Sequence, residues 1–280
     1  MKKNKKLNIA IIGLGNIGTY LYKYLSANQK ILFKKNNCLP NITFVSAKNK
    51  NKKRGIKISK KKWLNNFLDA TKSKNVDVIV ELIGGAEGAA KKLVFNALKN
   101  KKHVVTANKA LIAKYGDQLS KIAEQNNVNL EFEAAVCGGV PIIRSLKESF
   151  IANKINKVYG IFNGTSNYIL SSMDKENKNF KDVLLNAQKL GFAESNPISD
   201  LNGDDVAAKL KILSSLCFNS FIDDKIHVEG IKHIDKVDID NANKLGYKIK
   251  LLGVSEIIEN KVYQRVHPSL IKKSSYIASI

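Results

Sequence analysis

The segment Gly13-Leu14-Gly15-Asn16-Ile17-Gly18 constrains this chain more than any other. Glycines at this spacing mean little alone. Here they follow an apolar run at 7–12 that reads as a buried strand, and they open a segment at 16–27 whose apolar residues recur at helical spacing. Strand, glycine turn and helix in that order form the dinucleotide fingerprint. Gly13 permits the tight turn, Gly15 lets a pyrophosphate approach the backbone, and Gly18 lets the helix pack on the strand. Asn16 and Ile17 then begin a helix whose free N–H groups and dipole favour an anion. The plain alternative is a strand–helix turn that binds nothing; context and position favour a dinucleotide.

The first half of the chain continues the alternation. Strands are expected at 42–46, 76–82, 103–106 and 128–133, and helices at 63–70, 86–99 and 109–126. Such spacing predicts a parallel sheet with right-handed crossovers. After about Ala135 the pattern changes to longer helices at 165–175, 181–190 and 204–218. Segments 245–255 and 261–266 then alternate like antiparallel strands. The chain therefore reads as α/β, with a Rossmann-type parallel-sheet domain over 1–135. An α/β domain with a mixed or antiparallel sheet follows over 136–280.

Composition narrows the class. Lys plus Arg number 47 against 24 Asp plus Glu, a net charge of +23. Nearly all these cations are lysines spread along the whole chain. No zinc-finger spacing, RNA-binding aromatic signature or basic region with heptads accompanies them. A solvated surface that steers anionic cofactors inward fits better than nucleic-acid binding. Cys38, Cys137 and Cys217 make no disulfide framework and no CxxC pair, and the four histidines lack metal-ligand spacing. A reducing, cytoplasmic setting is expected. The start is basic and then apolar but has no small-residue cleavage site, and no segment approaches the roughly 20 apolar residues of a spanning helix. No membrane role is expected.

After the second expected strand comes Ser46-Ala47-Lys48, then Lys50, Lys52, Lys53 and Arg54, with no acid. An acid there would hold the ribose hydroxyl of NAD and repel a 2′-phosphate, so NADP is favoured and NAD stays open. A solvated basic loop explains the same residues. Glu81-Leu82-Ile83-Gly84-Gly85 and Val104-Val105-Thr106-Ala107-Asn108-Lys109-Ala110-Leu111 both follow apolar strands. Ligands of open parallel sheets bind beyond the C-terminal strand ends, so Gly84 and Lys109 are candidates for the crevice. Asp205 and Lys209 lie one turn apart on a helix face; the plain reading is a surface ion pair worth a few tenths of a kcal/mol. Glu194 and Asp200 strengthen the functional reading. Carboxylates gathered before a lysine suit an amino-acid substrate that carries an ammonium and an alcohol.

These blocks, together with FEAAVCGGVPII at 132–143, NGTSNYIL at 163–170, GFAE at 191–194 and DLNGDDVAAKL at 200–210, resemble the homoserine dehydrogenase family in order and spacing over nearly the whole chain. The resemblance implies interconversion of L-homoserine and L-aspartate 4-semialdehyde with NADP, in threonine, methionine and isoleucine biosynthesis. It implies that Lys209 is the general acid/base and that Lys109 lies beside nicotinamide and substrate. Glu194 and Asp205 correspond to the family's substrate-binding carboxylates, with Asp200 a third candidate. Glu133, Val136, Gly138 and Val140 correspond to its monovalent-cation site for Na⁺ or K⁺; read without the resemblance they are only a turn into a helix. A homodimer is expected. The family's catalytic core continues beyond this chain, which therefore reads as C-terminally truncated. Two alternatives stand: a truncated, non-catalytic dinucleotide-binding protein, and a basic nucleic-acid-binding module.

Overall fold

The computed structural model describes residues 5–218 and 226–280; the basic start at 1–4 lies outside them. Two compact units, Met1–Pro141 and Ile142–Ile280, divide the chain. The change of sequence pattern was placed near Ala135. A 3-10 turn, Glu133–Ala135, packs with the first unit, and the glycine turn that follows also lies in it.

In the first unit the order is β1 (Lys5–Ile12), α1 (Asn16–Ala27), α2 (Gln29–Asn36), β2 (Cys38–Ser46), α3 (Asp69–Lys72), β3 (Val78–Glu81), α4 (Ala89–Lys99), β4 (His103–Thr106), α5 (Lys109–Gln125) and β5 (Leu130–Glu131). The strands form one parallel sheet in the order β2-β1-β3-β4-β5. Ile9, Ala10, Ile11 and Ile12 are all buried, as a strand covered on both faces requires. On α4, Ala90, Leu93, Val94, Ala97 and Leu98 make an apolar stripe at helical spacing, each fully buried. A buried Leu or Val contributes about 1.5–3 kcal/mol over an exposed one. The chain moves from β1 to β2 on one side and to β3 on the other, so β1 and β3 flank the switch point where doubly wound sheets bind ligands.

Two expected elements differ. Residues 63–68 are not helical. Trp63 bridges Val45, the Leu64 N–H donates to the Val45 carbonyl at 2.9 Å, and the Asn66 side chain accepts the Leu68 N–H at 3.0 Å. Short asparagine bonds of this kind compete with helix. The expected strand 128–133 shortens to Leu130–Glu131 before the 3-10 turn.

The second unit comprises α6 (Ile142–Arg144), β6 (Lys157–Gly160), α7 (Gly164–Glu176), α8 (Phe180–Leu190), α9 (Ile198–Asn202), α10 (Asp204–Phe218), β7 (His227–Val228), α11 (Lys236–Lys244), β8 (Tyr247–Ile258) and β9 (Lys261–Lys272). Its mixed sheet runs β6-β8-β9-β7. Glu259 and Asn260, both at positive φ, make the two-residue turn between β8 and β9, a geometry that matches strand twist. Ile169, Leu170 and Met173 of α7, Val206 and Leu210 of α10, and Leu251 and Val266 of the sheet share one core. Gly160 of β6 faces Gly253 of β8, and the Phe162 ring lies over both. A Cβ on Gly253 would sit 2.8 Å from that ring and 3.0 Å from Val206. No described helix is long and apolar enough to cross a membrane.

Candidate functional site

At the C-terminal end of β1 the glycine turn has the expected geometry. Gly13 adopts φ +107°, and a Cβ there would lie 2.4 Å from the Leu82 carbonyl oxygen. A Cβ on Gly18 would lie 2.0 Å from the Gly13 oxygen, so helix and strand touch through it. Gly15 differs: it is exposed, and a Cβ there would meet no protein atom within 4 Å. Asn16 and Ile17 are exposed beside it, and the first turn of α1 has neither a side-chain cap nor an acid. The turn therefore offers uncapped N–H groups and clear space, which fits a pyrophosphate.

The basic loop after β2 divides into two kinds of cation. The Arg54 guanidinium donates to the Leu14 carbonyl at 2.9 Å, to the Lys52 carbonyl at 2.8 Å and to the Asn49 carbonyl. It also lies 5.7 Å from the Trp63 ring centre. Arg54 thus ties the loop to the glycine turn, and its donors are engaged by backbone. Of the other cations in this loop, Lys50 Nζ lies 5.9 Å from the Trp63 ring centre.

At the ends of β3 and β4 lies a polar network that sequence reasoning left unassigned. Glu81 is 0% exposed, yet its Oε1 accepts the N–H groups of Ile83 and Gly84 at 2.7 and 3.0 Å, and its Oε2 accepts the Thr106 hydroxyl. Thr106 Oγ1 accepts the Asn108 N–H at 3.0 Å. The Asn108 side chain donates to the Gly85 carbonyl at 2.7 Å and caps α5 through the Leu111 N–H at 3.1 Å. Lys109 is the first residue of that helix, and Gly84, exposed and at φ +86°, lies in the turn that the network holds.

The cation candidates Glu133, Val136, Gly138 and Val140 fall in consecutive turns of the first unit. The Val136 N–H bonds to the Glu133 carbonyl at 3.3 Å, the Val140 N–H to the Cys137 carbonyl at 3.3 Å, and Gly139 has φ +85°. One carboxylate with backbone carbonyls is a hard-oxygen donor set of the kind alkali cations take. No cluster of three or more His, Cys, Asp or Glu side chains with metal-site geometry occurs among the described residues.

In the second unit the bend after β6 and the start of α10 converge. Asn163 is 6% exposed and caps α7 through the Ser166 N–H at 2.7 Å. Its Nδ2 donates to Asp200 at 2.8 Å and to Asp205 at 2.9 Å. Lys209, 17% exposed, is 2.8 Å from the Asp205 carboxylate, which is 4% exposed, and donates to the Phe162 carbonyl at 2.7 Å. Asp205 is buried and Lys209 half-buried, so the pair is not an exposed surface pair. Asp200 and Asp205 are joined by an amide that carries no charge of its own, and Lys209 joins them through its ion pair with Asp205. Glu194 stands apart from this network, exposed on the loop after α8. Its backbone is held by Gln188, which donates to the Glu194 carbonyl at 3.1 Å, and by Phe192, whose ring stacks on Tyr168 at 4.6 Å. Asn163 was legible as a helix cap before Gly164, but its bridging role was not. A separate cavity of about 40 Å³, lined by Ser171, Asp174, Lys175, Lys248 and Lys250 among others, shares no lining residue with the Lys209 cluster.

Comparison with known proteins covers both units. Residues 13–133 match the family model described as homoserine dehydrogenase, NAD binding domain, and residues 141–280 match that described as homoserine dehydrogenase. A curated homoserine dehydrogenase of Neisseria gonorrhoeae is 41% identical over 99% of this chain and 63% of its own length. One from Bacillus subtilis is 40% identical over 95% of this chain and 62% of its own length. The crystal structure of a homoserine dehydrogenase from Thiobacillus denitrificans superposes with a TM-score of 0.91 at 39% identity, over 99% of this chain and 64% of that one. The chain thus spans under two thirds of the length of these relatives.

Proposed function

The chain belongs to the homoserine dehydrogenase family, and on that premise we propose that the protein interconverts L-homoserine and L-aspartate 4-semialdehyde with NADP. The Asn163–Asp205–Lys209 cluster carries this reading. Lys209 Nζ has two acceptors, Asp205 and the Phe162 carbonyl, which leaves a third N–H for the substrate oxygen. In the reducing direction that ammonium donates its proton to the aldehyde oxygen, and bound NADPH would supply the hydride to the aldehyde carbon. In the oxidising direction the amine takes the hydroxyl proton as hydride leaves. Asp200, Asp205 and Glu194 bind the substrate ammonium, and Asp205 also aligns Lys209. Lys109, at the start of α5, lies at the nicotinamide end of the dinucleotide site. The glycine turn at Gly13, Gly15, Asn16, Ile17 and Gly18 takes the pyrophosphate, with Gly84 near the nicotinamide end. NADP is preferred because the loop from Lys48 to Lys53 holds cations and no acid. Glu133 with the carbonyls of Val136, Gly138 and Val140 would hold Na⁺ or K⁺, which supplies a fixed positive charge that braces the turn. The protein acts as a cytoplasmic homodimer in threonine, methionine and isoleucine biosynthesis.

The test is absorbance of reduced nicotinamide in the full-length protein with L-homoserine, NADP and K⁺ or Na⁺, beside Lys209→Ala. Homoserine-dependent reduction that falls by about 10²–10⁴-fold in the variant is expected. Dinucleotide binding without turnover by the full-length wild type would instead establish the non-catalytic alternative.

A further inference from the structure

We propose that Glu81, acting through Thr106 and Asn108, is the positioning residue that holds the turn at Gly84 and Gly85 and the start of α5, with Lys109, in the arrangement that the nicotinamide end of the dinucleotide requires. The proposal rests on the functional reading above for the role of Lys109.

A fully buried carboxylate is an unusual choice for a loop brace. Burying its charge costs several kcal/mol unless donors surround it. Here the donors are two backbone N–H groups and one hydroxyl. Each comes from a segment that ends at the crevice: Ile83 and Gly84 from the turn after β3, and Thr106 from the end of β4. The charge also sets a direction. Because Glu81 only accepts, Thr106 donates its one proton to it, and the Thr106 oxygen serves the Asn108 N–H only as an acceptor. Asn108 in turn fixes the Gly85 carbonyl and the first turn of α5. One acid therefore determines the relative placement of a glycine turn and of the residue before Lys109.

The same bonds decide what the turn presents. The N–H groups of Ile83 and Gly84 are turned inward to Glu81, so neither is offered to a phosphate, unlike those at the uncapped start of α1. It suits a neutral group that brings its own donors, such as a ribose hydroxyl or a carboxamide. A Cβ on Gly84 or Gly85 would meet nothing within 4 Å, so such a group has room.

A glutamine at 81 keeps the shape but places an NH₂ against the Thr106 hydroxyl, which already accepts from Asn108 and would lose its only acceptor. Thr106→Val is near-isosteric and removes the hydroxyl alone, so it reports on the relay if Glu81→Gln fails to fold. In the full-length protein, Glu81→Gln, Thr106→Val, Thr106→Ser and the double variant Glu81→Gln/Thr106→Val are compared. The readouts are NADPH affinity by calorimetry and kcat/KM for homoserine. Misplacement of this kind costs on the order of ten- to a hundredfold in kcat/KM. That loss is expected for Glu81→Gln and Thr106→Val, with Thr106→Ser near wild type. The double variant is expected to be no worse than Glu81→Gln by more than about threefold, because both act through one relay. Wild-type NADPH affinity and kcat/KM in Thr106→Val would overturn the proposal, as would multiplicative losses in the double variant. If wild type fails to oxidise homoserine, the functional reading fails, and the NADPH affinity of Thr106→Val against Thr106→Ser still decides the role of the relay.

Discussion

Replacing Gly253 by alanine tests how the sheet of the second unit sets the Lys209 cluster. The new methyl would lie 2.8 and 2.9 Å from two carbons of the Phe162 ring and 3.0 Å from Val206. Ordinary carbon contacts begin near 3.5 Å, so the ring must move by roughly 0.5–1 Å. Val206 is fully buried, and Gly160 lies under the neighbouring edge of the ring, so the ring moves away from the sheet. Overpacking of this kind costs about 1–3 kcal/mol. In a unit of this size that lowers Tm by about 3–10 °C, read by calorimetry on the full-length protein. The Phe162 carbonyl holds Lys209, and the next residue bridges Asp200 and Asp205, so the shift also reaches the chemistry. A displacement near 1 Å predicts a loss of up to about 10²-fold in kcat/KM for homoserine. Trimming the ring with Phe162→Leu in the same chain should return part of the stability, with a coupling energy of about 0.5–3 kcal/mol. A Gly253→Ala protein with Tm within about 1 °C of wild type and unchanged kcat/KM would refute the reasoning.

The glycine turn yields a contrast. Gly18→Ala drives a methyl into the Gly13 carbonyl and should lower Tm by several degrees, whereas Gly15→Ala meets no protein atom and should leave Tm within about 1 °C while weakening NADPH binding about tenfold or more in calorimetry. Lys250 is 3% exposed and bonds to Asn167 at 3.0 Å and Ser171 at 2.9 Å. Burial, followed by the charge of Lys248, holds its pKa below the ordinary 10.5. Its folded pKa lies below the unfolded value, so the folded state releases this proton more readily. Stability therefore rises with pH through the folded pKa and levels off above the unfolded one. Lys250→Met should remove that rise from the alkaline limb of a Tm–pH curve; an unchanged limb would contradict it.

What could be read from the chain followed from how local each signal is. The turn from Gly13 to Gly18 is set by a short motif between adjacent elements and the pair Asp205–Lys209 by spacing within one helix, so local pattern placed them. The Asn163 amide, the Phe162 carbonyl and the facing glycines at 160 and 253 act across long separations, and nothing in local pattern marks them. Arg54 shows the same limit from the other side. Its sequence context groups it with the phosphate-attracting lysines, yet carbonyls from its own loop and from the glycine turn engage its guanidinium. Glu194 matched by motif, but its carboxylate lies outside the network that joins the other candidates. Of the helix expected over 63–70 only 69–70 is helical, because Trp63 pairs with β2, a contact that overrides local propensity.

The strand orders of the two sheets also prescribe different times of completion as the chain is synthesised. The first sheet is built from five strands that all precede Glu133, so it can close while the second half is still emerging. The second sheet cannot. Lys157 of β6 pairs with Glu256 of β8, and every helix from α7 to α11 must emerge before that partner arrives. Until then the apolar faces of α7 and α10 have no sheet to cover them. Pairing across so long a stretch of chain is intrinsically slow. The half that carries Lys209 is therefore the half whose apolar faces stay uncovered longest during synthesis.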